Sequence, residues 1–557
     1  LNNTQEKNND LYNEILVLTK KLVSISSINS AGEGEKKIAA YIKTYLRAFP
    51  YFENHPEQII IQNLKNDKLG RYNVFALIKG EKSISQDTIL LHGHIDTVGI
   101  DDYGLLSKFA FNSEKLMEKL SELDLSDEVR ADLNSGDYLF GRGACDMKSG
   151  DAVFLVLAKW FSTRVNEFSG NILLSFNPVE ENLHTGMIDG LEILTELKEK
   201  EGLNYLFAIN NDYICPLYPN DKTRYVYTGA VGKLLPCFYI NGKETHVGQC
   251  FEGFDASMVA AELIRIINLN CDFCDEYRDE YTLPPSVLKI KDLKTSYNVQ
   301  TAVSAFIYFN YFIHNTSIQD IINKLTSAAK QALSNVQSDI NKQYKKFCKI
   351  SDIDYQPFEY ELQVLTYDEL YTAAQNKYDG DINKILDNIL ADCLADNTDK
   401  REIPLKMTQK LFDIARIKNP SAVLFFAAPY CPHNTIHEEK PQQNALYTKL
   451  KNTINEFAII SGEKYEIKQF FQSLSDSSYL SIDDDDASID SLLKNFPAFS
   501  ILHPIPLKNI KKLAIPAINY GCFGKDAHKW TERVYMPYSF GVLPYFIEYT
   551  IKKFLKF

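Results

Sequence analysis

Leu90-Leu91-His92-Gly93-His94-Ile95-Asp96-Thr97-Val98 is an apolar run that ends in a His-x-Asp pair beside a glycine. Residues 88–91 are short, apolar and β-branched at the start, the pattern of a buried strand. In α/β proteins the crevice beyond the carboxyl ends of parallel strands is where ligand-binding groups are presented. Residues two apart on a strand point to one side, so His94 and Asp96 can share a face. A carboxylate so placed can take the proton of one imidazole nitrogen and leave the other free for a metal. A polar strand end in a loop explains this stretch equally well on its own, so the flanking sequence decides.

The same pattern recurs along the chain. Gly141-Arg142-Gly143-Ala144-Cys145-Asp146-Met147-Lys148-Ser149-Gly150 precedes an apolar helix over 152–161. Asp146 there reads as an N-cap when taken alone, and Cys145, with no nearby His, as a packing residue. The β-like run 171–176 ends in Pro178-Val179-Glu180-Glu181, and the run 206–209 ends in Asn210-Asn211-Asp212. Adjacent carboxylates past a buried strand are costly unless something positive lies between them. The last clear strand, 515–520, leads to Asp526-Ala527-His528, with Glu532 four residues on and facing alike if the segment is helical. Repetition at every strand end is poorly explained by capping and solvation.

A chain of 557 residues exceeds one core, so two domains are expected. Helical spacing at Leu11, Ile15, Leu18 and Leu22 and strands near 58–62 and 73–78 open the first. From about residue 233 the order changes to strand 234–240, helix 256–269, strands 286–290 and 302–312, helix 317–343 and strand 358–365. That β-α-β-β-α-β order describes an inserted α+β ferredoxin-like module. The division predicted is therefore 1–232, an inserted domain at 233–366, and a return at 367–557, with Asp483-Asp484-Asp485-Asp486 as a solvated loop. The net charge of −13 argues against nucleic acid or an anionic membrane as partner. No apolar run approaches the roughly 20 residues that span a bilayer. The polar opening residues 1–7 carry no signal-peptide pattern, so a cytoplasmic protein is expected. The ten cysteines are spread widely and read as free, mostly buried thiols rather than a stapled framework.

Taken in order, Gly93-His94-Ile95-Asp96-Thr97-Val98, Gly143–Lys148, Glu180-Glu181, Asp212 and Asp526-Ala527-His528 resemble the zinc amidohydrolase/exopeptidase family of aminoacylase, succinyl-diaminopimelate desuccinylase and peptidase T. Pro284–Lys289, Tyr297-Asn298-Val299-Gln300-Thr301 and the run 305–312 look like its longer RocB-type arginine-utilisation branch. The resemblance implies an α/β fold, a mixed-sheet catalytic domain with the inserted module as lid. It implies two divalent ions, zinc first with manganese or cobalt as alternatives, bridged by Asp146. His94 and Asp212 would complete one site, Glu181 and His528 the other. Asp96 would hold the His94 ring, Glu180 would be the general base acting on a water bridging the metals, and His246 of the lid would support the oxyanion. The reaction implied is hydrolysis of an amide bond in a small peptide or N-acyl amino acid.

The pattern departs from the family in two places. His184 follows the paired acids closely and competes as a ligand, although a loop residue explains it too. The run Phe306-Ile307-Tyr308-Phe309-Asn310-Tyr311 lacks the arginine that grips a substrate carboxylate in many relatives, so Asn298 and Asn310 are the candidate substrate contacts. Two other functions stay open: a non-catalytic amino-acid or peptide binder, and a hydrolase of a non-peptide amide in arginine catabolism. A homodimer through lid edge strands is also left open.

Overall fold

A computed structural model describes residues 2–29 and 32–557, and the side chains of the first helix from Asp10 onward. The opening stretch 1–7, read for a leader, lies outside the described side chains. Two compact units emerge: Leu1–Ala230 with Asn434–Ile482 and Pro506–Phe557, and Val231–His433 with Asp483–Ile505. In chain order the first unit supplies strands β1 (Ile59–Asn63), β2 (Tyr72–Lys79), β3 (Asp87–His94), β4 (Asn171–Asn177), β5 (Asn204–Asn210) and β6 (Arg224–Tyr227). The second supplies β7 (Pro236–Asn241), β8 (Ser286–Asp292), β9 (Ser304–Ile313), β10 (Gln363–Thr366) and β11 (Ser421–Phe426). The first resumes with β12 (Tyr465–Lys468) and β13 (Ala517–Asn519).

The first unit's sheet is mixed, in the order β1-β2-β4-β3-β5-β13-β6-β12. Its centre is parallel: β3 pairs with β4 and β5, and β5 with β13. Burial along β3 and β4 is almost unbroken rather than alternating, as strands covered on both faces require. Helices α1 (Asn2–Val23), α2 (Gly34–Arg47), α3 (Lys148–Ser162) and α4 (Thr185–Lys200) belong to this unit. Ile15, Leu18 and Leu22 of α1 join Val153, Phe154 and Leu157 of α3 and Ile89, Leu91, Ile172 and Leu174 of the sheet in one core. A fully buried side chain of this kind stabilises by about 1.5–3 kcal/mol.

In the second unit β7, α5 (Ala256–Ile267), β8, β9, α6 (Ile318–Ser351) and β10 follow the expected ferredoxin-like order. The sheet order is β8-β9-β7-β11-β10, so β11 is inserted between β7 and β10. β11 lies antiparallel to β7 and parallel to β10. The second unit therefore extends past the predicted end at residue 366, to His433, and takes in 483–505 as well. Helices Tyr367–Gln375, Ile382–Ala395 and Glu402–Ala415 accompany it, burying Leu370, Leu386 and Leu411 with Tyr239, Val423 and Phe425. A wholly apolar strand such as β11 shows its burial in the sequence but not which sheet it joins.

Three local expectations change. Residues 358–362 are not strand, because the Phe358 and Tyr360 N–H groups donate to the Asn341 and Gln337 side chains of α6. The acidic run is not a solvated loop: Asp484 is buried, accepts from the Tyr430 hydroxyl at 2.7 Å, and Asp485 caps the helix Asp486–Lys494. Residues 526–532 form turns between short strands Gly524–Lys525 and Arg533–Tyr535, not a helix. The ten cysteines are free and six are buried; an expectation that they hold no Cys-x-x-Cys pair fails at Cys271 and Cys274. Among the described residues no helix is long and apolar enough to cross a membrane.

Candidate metal centre

The first unit brings together side chains from five chain segments, at the carboxyl ends of its parallel strands and at the start of α3. His94 is the last residue of β3, and its Nε2 lies 3.0 Å from Asp146 Oδ1. Asp146 does not cap α3, whose N-cap is Met147; its carboxylate is turned away to the histidines. The other oxygen, Oδ2, lies 3.0 Å from His528 Nε2, which is also 3.0 Å from Glu181 Oε1. Asp146 is thus shared between two imidazoles. His94, Asp146 and Glu181 offer ligand atoms within 4.8 Å of one another. Asp212 stands two residues past β5, is buried, and accepts from the Tyr213 N–H through Oδ1 at 2.8 Å. A side chain at Gly521, just past β13, would stand 2.0 Å from the Asp212 carbonyl oxygen, so only glycine lets the two strand exits meet.

Asp96 organises the paired acids more than it holds the ring. Its Oδ1 is 3.5 Å from His94 Nδ1, a charge contact too long for a hydrogen bond, and Nδ1 has no hydrogen-bond partner among the described residues. Its oxygens instead accept the backbone N–H groups of Glu180 and Glu181, both at 3.1 Å, and the Asn29 amide at 2.7 Å. The residue before this pair, Val179, sits at φ 72, an outlier for a β-branched side chain. Buried Glu35 holds it there: Oε1 accepts the Val179 N–H at 3.0 Å while Oε2 pairs with Arg71 at 2.8 Å. Neither Asn29, Glu35 nor Arg71 carried a recognisable signal in the sequence.

Glu532 was legible only as a neighbour of His528, and its role differs from that expectation. It is 1% exposed, and its Oε1 accepts from the backbone N–H groups of Cys145 (3.1 Å) and Asp146 (3.2 Å). Its Oε2 takes a 2.7 Å bond from buried Arg142, which also reaches Asp102 and the Gly99 carbonyl. The carboxylate therefore fixes the backbone that aims Asp146. Removing one partner of a buried ion pair costs about 3–5 kcal/mol. Glu532→Ala is expected to lower stability by about that amount in urea unfolding, and Glu532→Gln, which keeps an acceptor, by less.

The turn bearing His528 is held by Asp526, whose Oδ2 accepts from Arg533 (2.5 Å) and Thr531 (2.9 Å). His528 itself adopts φ 65. Electrostatically the cluster is short of positive charge. Burial, with the charge of Asp146, pushes Asp212 up to about 8 and raises Glu181. Burial also raises Glu180 well above the usual carboxylate range. Asp146 moves the other way: burial would raise it, but bonds to His528 and His94 outweigh that and lower it. Burial would depress His528, yet Asp146 and Glu181 raise it to about 11. Packed carboxylates that lean on imidazolium in this way, with nitrogen and oxygen donors converging, fit a divalent cation.

His92 is buried with Nε2 3.1 Å from the Ser477 hydroxyl, and burial pushes it down to about 3, so it is a neutral structural group. Cys145 is buried and its thiol is raised by burial, as a packing residue should be. His246, Asn298 and Asn310 belong to the second unit. His246 Nδ1 accepts from the Gly248 N–H at 3.0 Å, which leaves Nε2 to carry the proton of a neutral ring. Asn298 turns its amide to Gln300, and Asn310 lies on β9 opposite Ser286.

A mixed α/β sheet whose parallel strand ends gather imidazoles and carboxylates is the layout of a metallohydrolase. The chain belongs to peptidase family M20/M25/M40, whose family model matches residues 90–458. It is 38% identical to Protein RocB of Bacillus subtilis (strain 168) over 537 residues, 96% of this chain and 93% of that protein. Uncharacterized protein YqjN of the same strain is 33% identical over 550 residues, 98% of this chain and 96% of that one. Among solved structures, a tripeptidase from Staphylococcus aureus subsp. aureus Mu50 aligns over 98% of both chains with a TM-score of 0.52 at 14% identity, a likeness of fold.

Proposed function

We propose that this protein hydrolyses an amide bond in a small peptide or N-acyl amino acid at a centre of two divalent metal ions, zinc first. The observation that carries this is the Asp146 carboxylate, one oxygen 3.0 Å from His94 and the other 3.0 Å from His528. In this reading Asp146 would be a donor to both ions, His94 and Asp212 would complete the donors of one, and Glu181 and His528 those of the other. Such ions, when bound, polarise a carbonyl and lower the pKa of water. Glu180 is then the general base. It lies next to a ligand in sequence without being one, takes the proton of the attacking water and delivers it to the leaving amine. Asp96 positions Glu180 and Glu181 through their N–H groups. His246, with its proton on Nε2, is proposed as a hydrogen-bond donor to the oxyanion, and Asn298 and Asn310 as substrate contacts.

A second reading, hydrolysis of a non-peptide amide related to arginine, is favoured by the absence of arginine from Phe306–Tyr311 and by the RocB-type resemblance. The test is metal analysis joined to a hydrolysis screen of the zinc-, manganese- and cobalt-loaded protein. The screen takes dipeptides, N-acyl amino acids and acylated or carbamoylated arginine. Two metal equivalents with turnover of at least one class are expected. Tight binding of these compounds without any turnover would make the protein a binder instead. The proposed homodimer rests on β8, an edge strand exposing Leu288 and Ile290, and is checked by the mass in solution.

A further inference from the structure

Glu180 has a neighbour that the reading above leaves unused. Residues 179–184 form a closed turn in which the His184 N–H donates to the Val179 carbonyl and the Asn182 N–H to that of Glu180, both at 2.8 Å. His184, at φ 55, then opens α4. Its imidazole is 1% exposed, and Nδ1 stands 3.0 Å from Asp476 Oδ1 and 3.7 Å from Glu180 Oε1. The Tyr479 ring packs on the imidazole at 5.2 Å.

Asp476 is delivered by a short segment fastened to the two strands that end in the metal centre. Ser475 Oγ accepts from Asn210 of β5 at 2.8 Å, and Ser477 Oγ meets His92 of β3 at 3.1 Å. The Asn434 amide holds the Ser477 carbonyl at 3.0 Å. Asp476 is 3% exposed and its second oxygen, Oδ2, has no partner among the described residues. A buried acid on so well fastened a segment, aimed at a buried histidine, is not incidental surface polarity.

We propose that His184, held by Asp476, is the positioning residue of Glu180, its ring confining the carboxylate by close packing, with Nδ1 3.7 Å from Oε1, beyond hydrogen-bond length. The inference rests on Glu180 being the general base. A base must be held near its productive geometry, since a displacement of about 1 Å can cost on the order of 10²-fold. Around Glu180 the nearby side chains of Glu181 and Asp476 are of like charge and push it away. His94 and His528 are committed to metal in that reading, which leaves the His184 ring as the imidazole packed against the Glu180 carboxylate. Glu180, His184 and Asp476 also place ligand atoms within 4.8 Å of one another. A further cation there would occupy the base, so metal stoichiometry separates the two arrangements.

The experiment compares the zinc-loaded full-length protein with His184→Ala, His184→Asn, Asp476→Ala and Glu180→Gln, by zinc titration, crystallography and kinetics on the fastest N-acyl amino acid. His184→Ala and Asp476→Ala are expected to keep two zinc equivalents and an unchanged KM while kcat falls about 10–100-fold. In the crystal of His184→Ala the Glu180 side chain should leave its single position. His184→Asn, whose amide nitrogen falls where Nδ1 was and which tolerates a left-handed backbone, should recover part of the loss. An undisturbed Glu180 in His184→Ala, wild-type kcat there, or three zinc equivalents falling to two in Asp476→Ala would overturn the proposal. Full activity in Glu180→Gln would instead remove the base reading, and the crystallographic arm would then judge the contact alone.

Discussion

Glu180→Gln is expected to lower kcat by about 10²–10⁴-fold while the protein keeps its full complement of metal. Glutamine fills the same volume and preserves the N–H that Asp96 accepts at 3.1 Å, so the turn and the Glu181 position should survive. What it loses is the ability to accept and carry a proton. Steady-state kinetics beside elemental analysis checks both halves. Equal loss of metal and activity would mean that Glu180 is a ligand and that the base lies elsewhere.

Replacing Asp146 by alanine should have the other large effect, on metal rather than on turnover alone. Its two oxygens serve both histidines, so neither ion keeps its shared donor, and metal content should fall from two equivalents to one or none. The fold should persist, because Glu532 bonds the backbone of residue 146 rather than its side chain. The same centre predicts how affinity follows pH. In the metal-free protein His528, raised to about 11, and Asp212, raised to about 8 by burial and the charge of Asp146, both hold protons at neutral pH. Metal must displace those protons, so affinity should rise with pH below about 8 and rise less steeply above it. Zinc titration in weakly buffered solution should release protons at pH 7. Affinity independent of pH would contradict the ligand set.

The strand-end residues were legible because chemistry and spacing coincided. His94 and Asp96 close an apolar run, Glu180 and Glu181 close another, and a parallel sheet sends both ends to one edge. The frame around them was not. Arg142 stood in plain view between two glycines, yet nothing local tells that it pairs with an acid close to the other end of the sequence. Glu532 suggested a helical contact with His528, whereas the hairpin between Lys525 and Arg533 sends it inward to Asp146. Val179 at φ 72 and the Glu35 that holds it depend on tertiary packing, to which periodicity is blind. The extent of the second unit failed for the same reason: hydrogen-bond partners of β11 are set by register, not by its own composition.

β13 has a consequence for how the molecule is made. It fills the slot between β5 and β6, strands synthesised far earlier, and the turn with His528 follows it. At about 5–20 residues per second, a ribosome delivers His528 roughly tens of seconds after His94. Through that interval the edge of β5 is open and the acids at 146, 180, 181 and 212 lack one of their imidazoles. The nascent chain thus presents a bare strand edge and an incomplete cluster of buried acids, which makes this protein's vulnerable period its own translation.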